Sequence, residues 1–196
     1  MDSIALFPLN TLLFPGVPME LRIFEQRYLT MISRCLKQGQ GFGVVKIISG
    51  DEVIKADQWQ PPEVFPLGVY VQVTDWNQLA NGLLGISIQG ERKFKVLKTH
   101  IDADRLLQAE VMFLPDEVVE PVGEAYNGLA DLLGSLRDHP AVAGLKLPEV
   151  TNTRQLGWQL TQLLPLSTTD KLALLELSDP EARLDHLSVR VARLAK

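Results

Sequence analysis

The residues of this chain that could do chemistry are three histidines, one cysteine and one serine-lysine spacing. None has the company that chemistry requires. His100, His139 and His186 lie far apart, outside any His-Glu-x-x-His pattern and away from a second thiol, so no metal site is expected. Cys35 is the only cysteine, which excludes an internal disulfide, and its place on an apolar helical face reads as a small buried hydrophobe. Ser167 and Lys171 stand at i and i+4, but Ser167 opens a predicted helix, where a hydroxyl serves as a cap. No Gly-x-Ser-x-Gly elbow is present. The phosphate-cradling Gly-x-x-x-x-Gly-Lys-[Ser/Thr] is also missing, and Gly39-Gln40-Gly41-Phe42-Gly43 leads into a strand rather than a helix. Neither ATP hydrolysis nor a cofactor is expected.

Binding chemistry has better candidates. Trp59, Phe65 and Trp76 flank Pro61-Pro62 and a strand end, where large aromatics either cap a β core or form a contact surface. Arg92, Lys93, Lys95 and Lys98 form the one local basic run. Lys93 and Lys95 fall opposite Phe94 and Val96, so alternation predicts a solvated outer face. Glu25 and Arg27 are two apart at a predicted helix start, a spacing that does not put them in one helical row. Glu25 is expected to complement the positive helix end, and Arg27 to tie the helix to a sheet carbonyl or carboxylate.

Two kinds of element must position these groups. Phe24, Tyr28, Met31, Ile32, Cys35 and Leu36 fall on one face of a helix over about 24–38, which Gly39 and Gly41 end. Short strands follow. Gly43 to Ile48 is an apolar run, Val69, Val71 and Val73 alternate with polar residues, and Ile86 and Ile88 resume after the turn pair Asn81-Gly82. Phe94 and Val96 continue the pattern, and Leu107, Ala109, Val111 and Phe113 supply a further strand. With no helix between the later strands, the expectation is a twisted, partly closed sheet with one inserted helix. From Val118 onward only helical patterns occur. Val122, Ala125, Leu129, Leu132, Leu133 and Leu136 form one stripe, and Asn152 with Gln155 and Ser167 with Asp170 resemble capping boxes. Asp179-Pro180 opens a last helix bearing Leu184, Leu187, Val191 and Leu194. The fold class is thus α+β, with a β subdomain over 1–117 and a helical bundle over 118–196.

Composition agrees with a globular chain: 46% hydrophobic and 22% charged over 196 residues, with no apolar run near the ~20 residues of a membrane helix. Asp2 stands where a signal peptide would be basic, so a cytoplasmic location is expected. A net charge of −5 disfavours nucleic acid or an anionic membrane as partner.

The order of Phe7-Pro8-Leu9, Phe14-Pro15-Gly16 and Phe24-Glu25-Gln26-Arg27-Tyr28 resembles the opening of the Lon-protease N-terminal, substrate-binding domain. The likeness continues through Phe42-Gly43-Val44-Val45, Gly90-Glu91-Arg92-Lys93-Phe94, Leu164-Pro165-Leu166 and Lys171-Leu172-Ala173-Leu174-Leu175-Glu176-Leu177. The resemblance implies a PUA-like sheet and a free-standing, non-catalytic interaction module lacking the family's ATPase and Ser-Lys peptidase domains. Such a module would bind unfolded or apolar polypeptide segments, or a protein partner. It gives Phe14, Pro15, Gly16, Phe24, Glu25, Arg27 and Tyr28 a structural role and leaves Trp59, Phe65 and Trp76 as the candidate contact residues. RNA binding by the PUA-like sheet and a peptidase-associated activity are the alternatives.

Overall fold

The computed structural model describes residues 2–53, 59–142 and 144–194. It divides between Leu114 and Pro115 into two compact units. The first contains β1 (Asp2–Leu9), β2 (Pro18–Ile23), α1 (Gln26–Gln38), β3 (Phe42–Ser49), β4 (Glu63–Gln78), β5 (Leu84–Ile101) and β6 (Leu107–Phe113). The sheet order is β2-β5-β4-β3-β1-β6, and β6 also pairs with β5, so the pairing closes on itself through five strands. Only β1 and β3 run parallel, and α1 lies in the crossover that parallel strands require.

Not all strands are short, as alternation suggests. β4 has 16 residues and β5 has 18. A bulge interrupts β5: Val71 pairs with Gly90 and Tyr70 with Arg92, leaving Glu91 as the extra residue. The bulge lets one strand serve two neighbourhoods. Residues 84–89 of β5 lie between β4 and β2, and the later part turns to β6.

β1 is apolar without alternation because both of its faces are buried. Leu6 joins Val45, Phe94, Ala109 and Val111 in one core. Phe7 points the other way and stacks on Tyr28 of α1 with ring centroids 4.1 Å apart. Gly43 and Gly68 make room for the Phe94 ring, since a Cβ on either would stand 2.6 or 2.5 Å from its Cζ. α1 buries Tyr28, Met31, Ile32 and Cys35, and Gly39 ends it at φ 63° with its N–H donating to the Cys35 carbonyl. Two residues of the predicted face are corrected. Phe24 precedes the helix and is 54% exposed, and Leu36, on the far flank of the stripe, is also exposed.

The second unit holds α2 (Asn127–Arg137), α3 (Thr153–Leu163), α4 (Thr168–Glu176) and α5 (Pro180–Leu194), with a short 3-10 turn at Glu124–Tyr126. Leu129, Leu133, Leu156, Leu160, Leu164, Leu174, Leu184 and Leu187 form its core. Ala125 and Leu194 sit outside it, exposed, because the first lies in the 3-10 turn and the second at the open end of α5. Ser167 accepts from the Asp170 N–H at 3.1 Å, and Asp179 from Glu181 at 2.9 Å. Asn152 caps Gln155 as expected, at 2.9 Å. Gln155 answers one residue upstream, accepting from the Thr151 N–H at 2.8 Å. No helix of the described residues is long and apolar enough to cross a membrane.

Candidate functional site

Phe14-Pro15-Gly16-Val17 is a tight turn whose residue types match its backbone. The Val17 N–H donates to the Phe14 carbonyl at 3.2 Å, Pro15 supplies the fixed φ of the second position, and Gly16 takes φ 75° at the third. The Gly16 N–H then donates to the Gly90 carbonyl at 2.7 Å, and Gly90 donates back to Val17 at 3.2 Å. A Cβ on Gly90 would run into the Phe14 carbonyl. Two of the most recognisable segments thus clasp each other through backbone hydrogen bonds.

Glu25 and Arg27 form a second clasp, contrary to the expectation from helical spacing. Glu25 is the extended residue before α1 (φ −78°, ψ 133°), so the helical-row argument does not apply. Arg27 Nε donates to Glu25 Oε2 at 3.1 Å and Nη2 to Oε1 at 3.3 Å. The remaining donors reach the carbonyls of Arg105 at 2.9 Å and Glu52 at 3.2 Å, which belong to loops rather than to the sheet. The guanidinium lies 4.4 Å from the Tyr28 ring and 5.3 Å from the Trp59 ring. Burial pushes the Tyr28 hydroxyl far above the usual phenol range, so it stays protonated beside this charge. Four hydrogen bonds tie Arg27 to Glu25 and to the two loops, and its side chain is 4% exposed. The cluster holds loops in place.

The three aromatic candidates separate. Trp59 is half-buried beside Arg27, and Phe65 and Trp76 occupy opposite ends of β4. Trp76 alone is well exposed, at 60%. Its position has a consequence that alternation could not reveal. β3 pairs with β4 only as far as Val71, so among the described residues Gln72–Gln78 has β5 on one side and an open edge on the other. Trp76, Ile86 and Leu21 stand in one cross-strand row, and Ile86 is fully buried. The apolar face of the sheet therefore runs out to this edge and ends at the indole. The Trp76 backbone N–H donates to the Asp75 carboxylate at 2.8 Å.

The basic run does not form the predicted outer strip. Lys93 is 4% exposed, because the Glu91 bulge shifts the alternation and turns it inward. Arg92 lies with its guanidinium 3.9 Å over the Phe113 ring, and Lys98 stands opposite Glu110. Of the four, Arg92, Lys95 and Lys98 are exposed.

In the second unit Ser167 and Lys171 are directed apart. Ser167 Oγ donates to Asp170 Oδ2 at 2.7 Å, while Lys171 Nζ donates to the Gln162 carbonyl at 3.0 Å. Burial lowers the Lys171 pKa, but the amine has no hydroxyl to activate. Sequence reasoning missed the strongest polar cluster of this unit. Arg183 Nη1 and Nη2 fork Glu117 at 3.0 and 2.6 Å, Nη2 also reaches the Leu177 carbonyl at 2.7 Å, and the guanidinium sits 3.3 Å from the Trp158 ring centroid. Arg183 lies amid the apolar residues of the α5 stripe, and nothing local to it signals a partner 66 residues away.

This arrangement has relatives. The model of the ATP-dependent protease La (LON) substrate-binding domain matches residues 3–193. The chain is 24% identical over 182 residues to a Lon protease of Cytophaga hutchinsonii, covering 89% of this chain and 22% of that protein. It is likewise 24% identical over 200 residues to a Lon protease of Orientia tsutsugamushi, covering 96% of the chain and 24% of the relative. It therefore spans less than a quarter of the length of these relatives. Among solved structures, a Lon N-terminal domain protein from Xanthomonas campestris is similar with a TM-score of 0.74 at 28% identity, covering 96% of this chain and 98% of that one. The N-terminal domain of a Mycobacterium avium complex Lon protease shares the fold at a TM-score of 0.59 and 16% identity, over 95% and 96% of the two chains. With the family match running over nearly the whole chain and the α+β architecture in agreement, this protein belongs to the LON substrate-binding domain family.

Proposed function

We propose that this protein is a non-catalytic module that binds unfolded or apolar polypeptide segments along the open edge Gln72–Gln78 of β4, with Trp76 as the anchoring contact. The observation that carries the reading is the row Trp76, Ile86 and Leu21, in which a buried apolar face continues to an unpaired strand edge. An extended segment added there would gain main-chain hydrogen bonds from the edge and side-chain burial against the indole. The family relationship supports a substrate-binding role for the chain as a whole.

The test is retention of apolar peptides on an array, together with delayed aggregation of an unfolded client. Trp76→Ala is expected to weaken peptide binding about tenfold, the order of a lost aromatic hot spot of ~1–2 kcal/mol. Peptides that bind the variant as tightly as the parent would move the site elsewhere, and a parent that retains none would end the polypeptide reading. RNA binding is the alternative of a different class. Its support weakens because Lys93 is buried and Lys98 faces Glu110, and binding with a steep salt dependence would restore it.

A further inference from the structure

A polar cleft of about 660 Å3 in the first unit lies apart from the Arg27 cluster and from the Trp76 row. Phe113 and Tyr70 meet in its wall edge to face, with centroids 5.4 Å apart, and the Arg92 guanidinium carbon stands 3.9 Å over the Phe113 ring centroid. Arg34, from the C-terminal half of α1, lines the same cleft. Both arginines are exposed, and among the described residues neither has a carboxylate partner. Arg27, Arg183 and Arg190, in contrast, each hold one. The Tyr70 hydroxyl oxygen accepts from the Gly41 N–H at 2.6 Å, which leaves its own proton free to donate.

The charge of the cleft limits what it would take. Asp2 and Asp102 also line it, so two arginines are set against two carboxylates. Asp102 is engaged by Gln108 Nε2 at 2.9 Å and by His100 Nε2 at 3.6 Å. A single negative charge fits this balance better than a doubly charged phosphate. A carboxylate suits Arg92 in particular, because a guanidinium over an aromatic ring keeps in-plane N–H donors for a planar two-oxygen acceptor.

We propose that this cleft captures the C-terminal carboxylate of a bound polypeptide, with Arg34 and Arg92 as the cationic partners and Tyr70 as a hydroxyl donor. The proposal rests on the polypeptide-binding reading and adds to it a preference for free chain ends.

The experiment uses the full chain and two peptides of identical apolar sequence, one ending in a free carboxylate and the other in an amide, titrated at low salt. The free acid is expected to bind about tenfold tighter, as a charge-assisted hydrogen-bond pair warrants, and the advantage shrinks as salt rises. Arg34→Gln and Arg92→Gln, both at exposed positions, are expected to remove most of that advantage while leaving the amide peptide bound as before. Trp76→Ala weakens both peptides alike and leaves their ratio unchanged. Equal affinity for acid and amide overturns the carboxylate site and leaves the edge reading intact, whereas binding of neither peptide overturns both. Saturable binding of N-acetylglycine without any preference between the peptides assigns the cleft to a free small acid and also overturns the chain-end proposal.

Discussion

Arg27 in the first unit and Arg183 in the second solve the same problem with different reach. Each is a buried guanidinium laid against an aromatic ring, forked to a glutamate and bonded to backbone carbonyls. Arg27 takes its glutamate from two residues away and its carbonyls from loops 25 and 78 residues distant. Arg183 reverses this, with its glutamate 66 residues away and its carbonyls within nine. The solvent boundary differs as well. The Glu25 side chain keeps 13% of its exposure, whereas Arg183 and Glu117 keep 0% and 5%. Burial lowers the Arg183 pKa even with Glu117 beside it, so desolvation is substantial there. A short-range pair at a rim can exchange part of its partner for water. A long-range pair in a closed core cannot.

The largest test of that contrast is Arg183→Met. It removes the buried two-point fork to Glu117 and is expected to cost about 3–5 kcal/mol in urea unfolding followed by tryptophan fluorescence. Combining it with Glu117→Leu is expected to recover most of the loss, since replacing a whole buried pair with apolar groups is often near neutral. A double variant as unstable as the single one would mean that the carbonyl bonds, not the ion pair, dominate.

Arg27→Met is expected to cost less, about 2–3 kcal/mol, because Glu25 lies nearer solvent than Glu117, while the carbonyls of Arg105 and Glu52 lose a donor. Faster amide exchange in both loops at unchanged exchange in α5 would show that the clasp acts locally. A loss equal to that of Arg183→Met would erase the distinction.

Backbone caps provide a smaller effect. Asn152→Ala removes the side-chain acceptor of Gln155 and is expected to cost about 1 kcal/mol of helix stability, read as a lower urea midpoint. The cost should fall on the second unit alone.

The smallest effect concerns acid. The bond from Ser167 holds the Asp170 carboxyl below its ordinary range, with Arg190 adding to the shift. A depressed aspartate contributes stability that is present above its unfolded pKa of ~3.9 and is lost as pH falls through the folded value. Ser167→Ala is therefore expected to raise the Asp170 pKa and to flatten the acid-side stability curve below about pH 4, checked by carboxyl carbon NMR. An unchanged carboxyl titration would transfer the shift to Arg190.

Local structure is legible in the sequence where residue type and backbone state coincide. Pro15-Gly16, Gly39 and Asp179-Pro180 announce their turns and caps, because each needs only neighbours in sequence. Failures occurred where one residue changed the frame. Glu91 as a bulge moved Lys93 inside, and Glu25 as an extended residue, not a helical one, brought it onto Arg27. Of the aromatic candidates, spacing could not separate Trp76 from Trp59 and Phe65, since the end of β3 pairing at Val71 is what exposes its edge.

By itself the sequence determined the α+β order of elements, the apolar face of α1, the helix caps and the family, because these follow from periodicity, local backbone preference and ordered motifs. The closure of β6 on β5, the partner of Arg183, the open edge beside Trp76 and the sharing of one cleft by Arg34 and Arg92 emerge only on folding. The physical reason is range. Pairing and burial join groups tens of residues apart, and no local pattern records which distant surface a side chain will meet.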